Sequence, residues 1–297
     1  MCDRVIREKA VLFGPERRLV GVWTAAPSST HADDAPTVLI FNSGLVPHSG
    51  IWRLHVRLAR ALAERGVSSL RFDLSGIGDS GAPGDGLPLD QIVRQDIDAA
   101  IDYVREIQRA ERVVTLGLCS GARDALDTAM RHDAVVGVVA IDLIADLQTW
   151  QFHAVHFGER LLNLQSWKNT LSGRNGRLQS MLGVRSNGET RATTLDDAPI
   201  AEAGVRTLLS RSELHDRISQ LVRRNARLLF LFSGGLEDNY NHERQFRTAL
   251  PDLARAPGLT VDYFPEANHT FKNAGHQRAL IARVSEWCAD GFPHTAG

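Results

Sequence analysis

Short apolar runs alternate along most of the chain with longer stretches in which apolar residues recur every third or fourth position. Residues 5–13 and 18–24 alternate apolar and polar side chains on either side of Gly14-Pro15-Glu16, the pattern of an antiparallel hairpin. Residues 27–36 are small and polar and read as a surface loop. The run Thr37-Val38-Leu39-Ile40-Phe41 then stops at Asn42-Ser43-Gly44, as expected of a strand covered on both faces. Leu54, Leu58, Ala61 and Leu62 share one helical face, and Gly66 closes that helix.

The alternation repeats. Strands are predicted at 67–72, 112–116, 135–141, 227–232 and 259–264, and helices near 90–108, 122–130, 242–250 and 277–288. Strands alternating with helices of this length imply a mostly parallel central sheet flanked by helices, with right-handed crossovers. Between about 147 and 222 the strand pattern stops. That stretch carries Trp150, His153, His156, Trp167, several arginines and the glycine-rich piece Ser172-Gly173-Arg174-Asn175-Gly176. It reads as a mostly helical insertion lying over the sheet. The expected organisation is therefore an α/β core from 1–146 and 223–297 and a cap at 147–222. No internal repeat is visible.

Composition narrows the partners. Hydrophobic residues make up 43% of the 297, and 34 Lys plus Arg against 35 Asp plus Glu leave a formal net charge of -1. An even balance of that kind offers no footprint for nucleic acid or an anionic membrane. No apolar run is long enough to cross a bilayer. Charges in the first nine residues interrupt any signal-peptide pattern, so a cytoplasmic location is expected. Three cysteines, at 2, 119 and 288, match neither a disulfide framework nor a zinc-ligand spacing, and a reducing compartment would keep them as thiols. Neither a metal nor an organic cofactor is expected.

The chemistry is carried by Gly117-Leu118-Cys119-Ser120-Gly121, between the strand at 112–116 and the helix beginning near Ala122. A nucleophile on a tight strand–turn–helix elbow needs small residues two before and two after it, where side chains would strike the neighbouring strand and helix. With 25 glycines in the chain, chance would flank a cysteine this way only about 0.02 times, even before the strand and helix are required. The helix N-terminus favours a thiolate, and the Ser120 N–H is one expected oxyanion donor. Ser120 itself is the poorer nucleophile candidate, because Leu118 would then occupy a position that must be small. The acid and base should follow in that order along the chain. Pro265-Glu266-Ala267-Asn268-His269-Thr270-Phe271, after the last strand, supplies His269 as the base. The acid is expected in 233–240, with Asp238 fitting the offset from glycine better than Glu237. Asp142 and Asp146, after an earlier strand, are topologically permitted alternatives. A Cys–His pair can also work without a strong acid.

Three segments make the chain resemble the α/β-hydrolase superfamily, within the serine-aminopeptidase-like group of bacterial hydrolases. They are 41–48 (Phe41-Asn42-Ser43-Gly44-Leu45-Val46-Pro47-His48), 71–80 (through Gly76-Ile77-Gly78-Asp79-Ser80) and 116–122 around Cys119. The resemblance implies the α/β-hydrolase fold over roughly 37–146 and 225–290. Relatives take a second oxyanion N–H from a His-Gly turn after the strand at 37–41; with Ser43-Gly44 here, that role falls to Leu45. The Gly76–Ser80 turn is structural in relatives, and no lysine follows it as a phosphate loop would need. Cysteine stands where the group usually has serine.

Three readings follow. The first is an acyl hydrolase, an esterase or thioesterase, passing through an acyl-Cys119 intermediate with His269 as base. The second is an acyltransferase handing the acyl group to an amine, alcohol or thiol, since a water-excluding cap would favour such acceptors. The third is a degenerate fold retained as a binding module. An aspartate nucleophile is absent from the elbow, which argues against dehalogenase or epoxide-hydrolase chemistry. The expected partner is a small ester or thioester substrate, free or on a carrier-protein arm. In the insertion, Trp150, Phe152, Phe157 and Trp167 offer apolar surface and Arg174, Arg177 and Arg185 positive charge, suited to an acyl chain with an anionic handle.

Overall fold

The computed structural model describes residues 5–27, 35–83, 86–154, 208–236 and 239–292. Eight strands form one sheet: β1 (Arg7–Phe13), β2 (Leu19–Ala25), β3 (Thr37–Ile40), β4 (Ser69–Phe72), β5 (Val113–Leu118), β6 (Val135–Ile141), β7 (Arg227–Ser233) and β8 (Leu259–Phe264). Their spatial order is β1-β2-β4-β3-β5-β6-β7-β8. β1 pairs antiparallel with β2, and β2 antiparallel with β4; every later pairing is parallel. The expected hairpin is thus β1–β2, attached to the edge of a parallel sheet.

The uninterrupted apolar strands are explained by the two layers that cover them. In β7, Leu228, Phe230 and Phe232 enter the core on one face of the sheet, while Leu229 and Leu231 enter the other. Alternating side chains of a strand point to opposite faces, so a strand covered twice has no position for a polar residue. The first face is covered by α2 (Leu89–Asp102), α3 (Ser120–Arg131) and α4 (Arg211–Arg223), and the second by α1 (Leu54–Glu64) and α6 (Ala274–Asp290). A short α5 (Gln245–Ala249) adds Phe246 to the first core. Truncating a central residue such as Phe230, fully buried, would cost about 3–5 kcal/mol.

The stretch expected as a cap, 147–222, is described only at its two ends. Leu214, Ile218 and Leu221 of α4 are fully buried in the core beside the sheet, so this end of the stretch belongs to the α/β body. Their spacing of four and three residues marks a helix with one apolar face, and Ser210 with Glu213 forms a capping box at its start. At the other end Trp150 is exposed and Phe152 buried. His156, Phe157, Trp167, Arg174, Arg177 and Arg185 lie outside the described residues, as do Cys2, Glu237 and Asp238.

Parallel strands run their C-terminal ends to one edge of the sheet. The elbow after β5, the turn after β3 and the loops after β6, β7 and β8 therefore all open on the same side. That is where the candidate residues gather.

Candidate active site

Cys119 joins β5 to α3 with φ 58° and ψ −115°, a left-handed conformation that costs a non-glycine residue about 1–3 kcal/mol. The turn is held by the Cys119 N–H donating to the Ile141 carbonyl at 2.9 Å and the Ala122 N–H donating to the Cys119 carbonyl at 3.1 Å. The two glycines are required for the steric reason the motif suggests. A Cβ on Gly117 would lie 2.0 Å from the Gly121 carbonyl carbon, and one on Gly121 would lie 2.4 Å from the Asn42 carbonyl oxygen. Cys119 is 9% exposed, enclosed by a core that also holds Leu118, Ile141 and Phe271.

His269 sits in the loop between β8 and α6. That loop is built around Phe271, fully buried with φ 48°, and is closed by Phe271 N–H to the Asn268 carbonyl and Lys272 N–H to Asn268 Oδ1, both 2.9 Å. The turn after β7 rests directly on it. Gly235 N–H donates to the Ala267 carbonyl at 3.0 Å, and a Cβ on Gly235 would fall 2.3 Å from the backbone nitrogen of His269.

The carboxylate brought to His269 is Asp142, one residue beyond β6. His269 Nδ1 lies 2.8 Å from Asp142 Oδ2. Asp142 is fully buried, and Ser233 at the end of β7 grips it twice: the backbone N–H donates to Oδ1 at 2.6 Å and the hydroxyl to Oδ2 at 2.7 Å. Asp146, by contrast, pairs with Arg211 at 3.7 Å. Sequence reasoning ranked Asp238 first and did not single out Ser233. A polar residue closing an otherwise continuous apolar strand was the signal available for Ser233.

The imidazole is electrostatically poised. Burial works to lower its pKa, but the hydrogen bonds to Asp142 and Cys119 and the charges on both more than reverse this, raising it from 6.5 to about 9.

Opposite the histidine loop, the turn after β3 folds against the elbow. Ser43 and Val46 bridge across it, with Gly44 at φ 56° and Leu45 at the tip, its side chain 70% exposed. The Leu45 and Ser120 amides make no hydrogen bond among the described residues, the condition for oxyanion donors. Behind this turn, Asp73 is buried and accepts from Asn42 Nδ2, the His48 N–H, His48 Nδ1 and the Asp79 N–H at 2.5–3.2 Å. Burial pushes its carboxyl up, but these donors more than offset that and hold it below the usual range. Among the described residues, His48, Asp73 and Asp79 form the single grouping of metal-ligand types within 4.8 Å of one another. With both Asp73 oxygens taken by donors, the grouping reads as a latch for the Gly76–Ser80 turn, where the Ser80 hydroxyl also donates to the Asp73 carbonyl at 2.7 Å.

Residues 38–290 match the family described as the alpha/beta hydrolase family. An uncharacterized protein of Pseudomonas aeruginosa is 28% identical over 161 residues, which span 50% of this chain and 42% of that protein's length. Among solved structures, an esterase of Pyrococcus furiosus superposes with a TM-score of 0.58 at 14% identity, covering 97% of this chain and 92% of its own. The esterase domain of a Rhodothermus marinus protein gives 0.55 at 15% identity, covering 96% and 99%. A proline iminopeptidase of Mycobacterium smegmatis gives 0.55 at 17%, covering 96% and 99%. At these identities the likeness is one of fold.

Proposed function

The chain belongs to the alpha/beta hydrolase family, and from that premise we propose that it is an acyl hydrolase, an esterase or thioesterase, working through an acyl-enzyme on Cys119. The observation that carries this reading is one imidazole hydrogen-bonded to a buried carboxylate and under the electrostatic influence of the elbow cysteine. His269 meets Asp142 at 2.8 Å through Nδ1 and is perturbed by the Cys119 thiol, which sits in the strained elbow conformation. Within the family, segments 41–48, 71–80 and 116–122 support the serine-aminopeptidase-like group, with cysteine replacing serine. No peptidase activity follows from that likeness.

In the proposed cycle His269 takes the Cys119 proton and Sγ bonds to the substrate carbonyl carbon. The carbonyl oxygen becomes an oxyanion held by the Ser120 and Leu45 N–H groups. Collapse expels the alcohol or thiol, which leaves with the proton from His269, and a thioester remains on Cys119. The raised pKa has a consequence for the second half. Part of the elevation comes from Cys119, and acylation removes that charge and thiol hydrogen bond. The imidazole pKa then falls, so that more of His269 is in the neutral form that can accept a proton from the attacking water. Water adds to the thioester carbon, the tetrahedral species collapses, and the acid departs with Cys119 restored.

Hydrolysis of 4-nitrophenyl esters and acyl-coenzyme A thioesters by the wild type and by Cys119→Ala tests the reading. Turnover that vanishes in the variant is expected; turnover retained at the wild-type rate would refute it.

A further inference from the structure

We propose that Ser120 is a positioning residue whose hydroxyl shapes the oxyanion hole by holding the Gly44–Leu45 turn against the elbow. The inference rests on the Cys119 reading above and concerns how the second oxyanion donor is kept in place. Ser120 Oγ accepts from the Gly44 N–H at 2.7 Å, joining residues 76 apart in sequence. On the other side of Cys119, the Ser43 hydroxyl donates to the Leu118 carbonyl at 3.0 Å. The turn is thus stitched to the residue before the cysteine and to the residue after it.

The Val46 N–H closes the turn on the Ser43 carbonyl at 3.1 Å, but that bond lies within the turn and does not tie its tip to the elbow. Gly44 has the widest backbone freedom of any residue type and sits at φ 56°. The Leu45 side chain, 70% exposed, provides no apolar anchor. Asn42 braces the base of the turn from behind, donating to the Val46 carbonyl at 2.8 Å and to Asp73 at 3.1 Å and accepting from the Leu74 N–H at 2.9 Å. Nothing in that brace reaches the Gly44–Leu45 peptide, whose N–H must face the oxyanion. The Ser120 hydroxyl is the group that reaches Gly44. One residue therefore supplies the first donor through its backbone and sets the second through its side chain.

An oxyanion develops in the acylation and deacylation transition states and is absent from the bound substrate, so loss of the hydroxyl should slow acylation without weakening substrate binding. Alkylation of Cys119 by iodoacetamide forms the S–C bond as iodide leaves and creates no oxyanion. It reports on nucleophile and base alone. In Ser120→Ala the acylation rate with 4-nitrophenyl acetate should fall about ten- to hundredfold, with KM within about twofold and Cys119 alkylation unchanged. Ser120→Thr should recover most of the rate, while Ser120→Val, of the same shape without the hydroxyl, should not. Normal acylation by Ser120→Ala, or equal rates for the Thr and Val variants, would overturn the proposal. Loss of alkylation together with acylation in both Ala and Val would also overturn it, because the hydroxyl would then be holding the elbow itself. A wild type that alkylates at Cys119 but acylates nowhere would instead remove the underlying acyl-hydrolase reading.

Discussion

Replacing Asp142 by Asn should disable the site through the tautomer of His269 rather than through the fold. The backbone N–H of Ser233 donates to Asp142 Oδ1 at 2.6 Å and needs an acceptor there. In Asp142→Asn the side-chain carbonyl must keep that position, which turns the NH2 toward the Ser233 hydroxyl and His269 Nδ1. An NH2 donates, so Nδ1 becomes the acceptor and the ring proton moves to Nε2, the nitrogen that has to receive the Cys119 proton. The carboxylate's share in raising the imidazole pKa from 6.5 to about 9 is lost with it. The whole shift corresponds to about 3 kcal/mol of imidazolium stabilisation, shared between the carboxylate and Cys119, and the wrong tautomer adds to the carboxylate's share of the loss. Acylation, followed by stopped-flow release of 4-nitrophenol, should slow about a thousandfold. NMR titration of His269 should show its pKa clearly below the wild-type value, because burial is then opposed by Cys119 without the carboxylate. Asp238→Asn, compared side by side, should leave both quantities near wild type. An Asp142→Asn enzyme with normal acylation and an unmoved His269, or an inactive Asp238→Asn, would refute the reasoning.

Other outcomes follow from the same geometry. Gly121→Ala puts a methyl 2.4 Å from the Asn42 carbonyl oxygen, so it should lower stability by about 2–4 kcal/mol in urea unfolding and abolish acylation, whereas Gly76→Ala meets no atom and should cost only the strain of its φ of 77°. His269 holds its proton more tightly folded than unfolded, so the stability it contributes is complete below about 6.5 and is lost as pH rises through about 9; the difference in Tm between wild type and His269→Gln should shrink across that window. Single-turnover chase of the acyl-enzyme should give free acid unaffected by added amine or alcohol; acceptor-dependent product would favour transfer over hydrolysis.

Most of the architecture was legible because buried parallel strands and amphipathic helices impose strong periodicities. The strand 227–232 and the helix at 54–62 needed only local patterns. The elbow was legible for a different reason: Gly117 and Gly121 record contacts that admit no Cβ. The carboxylate opposite His269 was open to several candidates, because the choice depends on long-range geometry. β6 and β7 pair with Ile141 opposite Leu231, which brings the end of one strand to the end of the other, and the left-handed backbone at Asp142, φ 50°, belongs to the turn that leads its side chain to Ser233 and His269. No single-strand pattern encodes that register. α4 lies inside the stretch expected as an insertion, because the strand pattern stops there, while the spacing of Leu214, Ile218 and Leu221 is that of a helix with one face buried beside the sheet.

Intact-mass analysis after mixing with a slowly hydrolysed aryl ester or acyl thioester would detect a covalent acyl group on Cys119. Cys288 is fully buried, and burial pushes its thiol well above the ordinary range, so it should not compete. A single added acyl mass is expected, mapped by peptide fragmentation to Cys119 and absent from Cys119→Ala. Acylation of Ser120 or any other residue, or full turnover by Cys119→Ala, would contradict it.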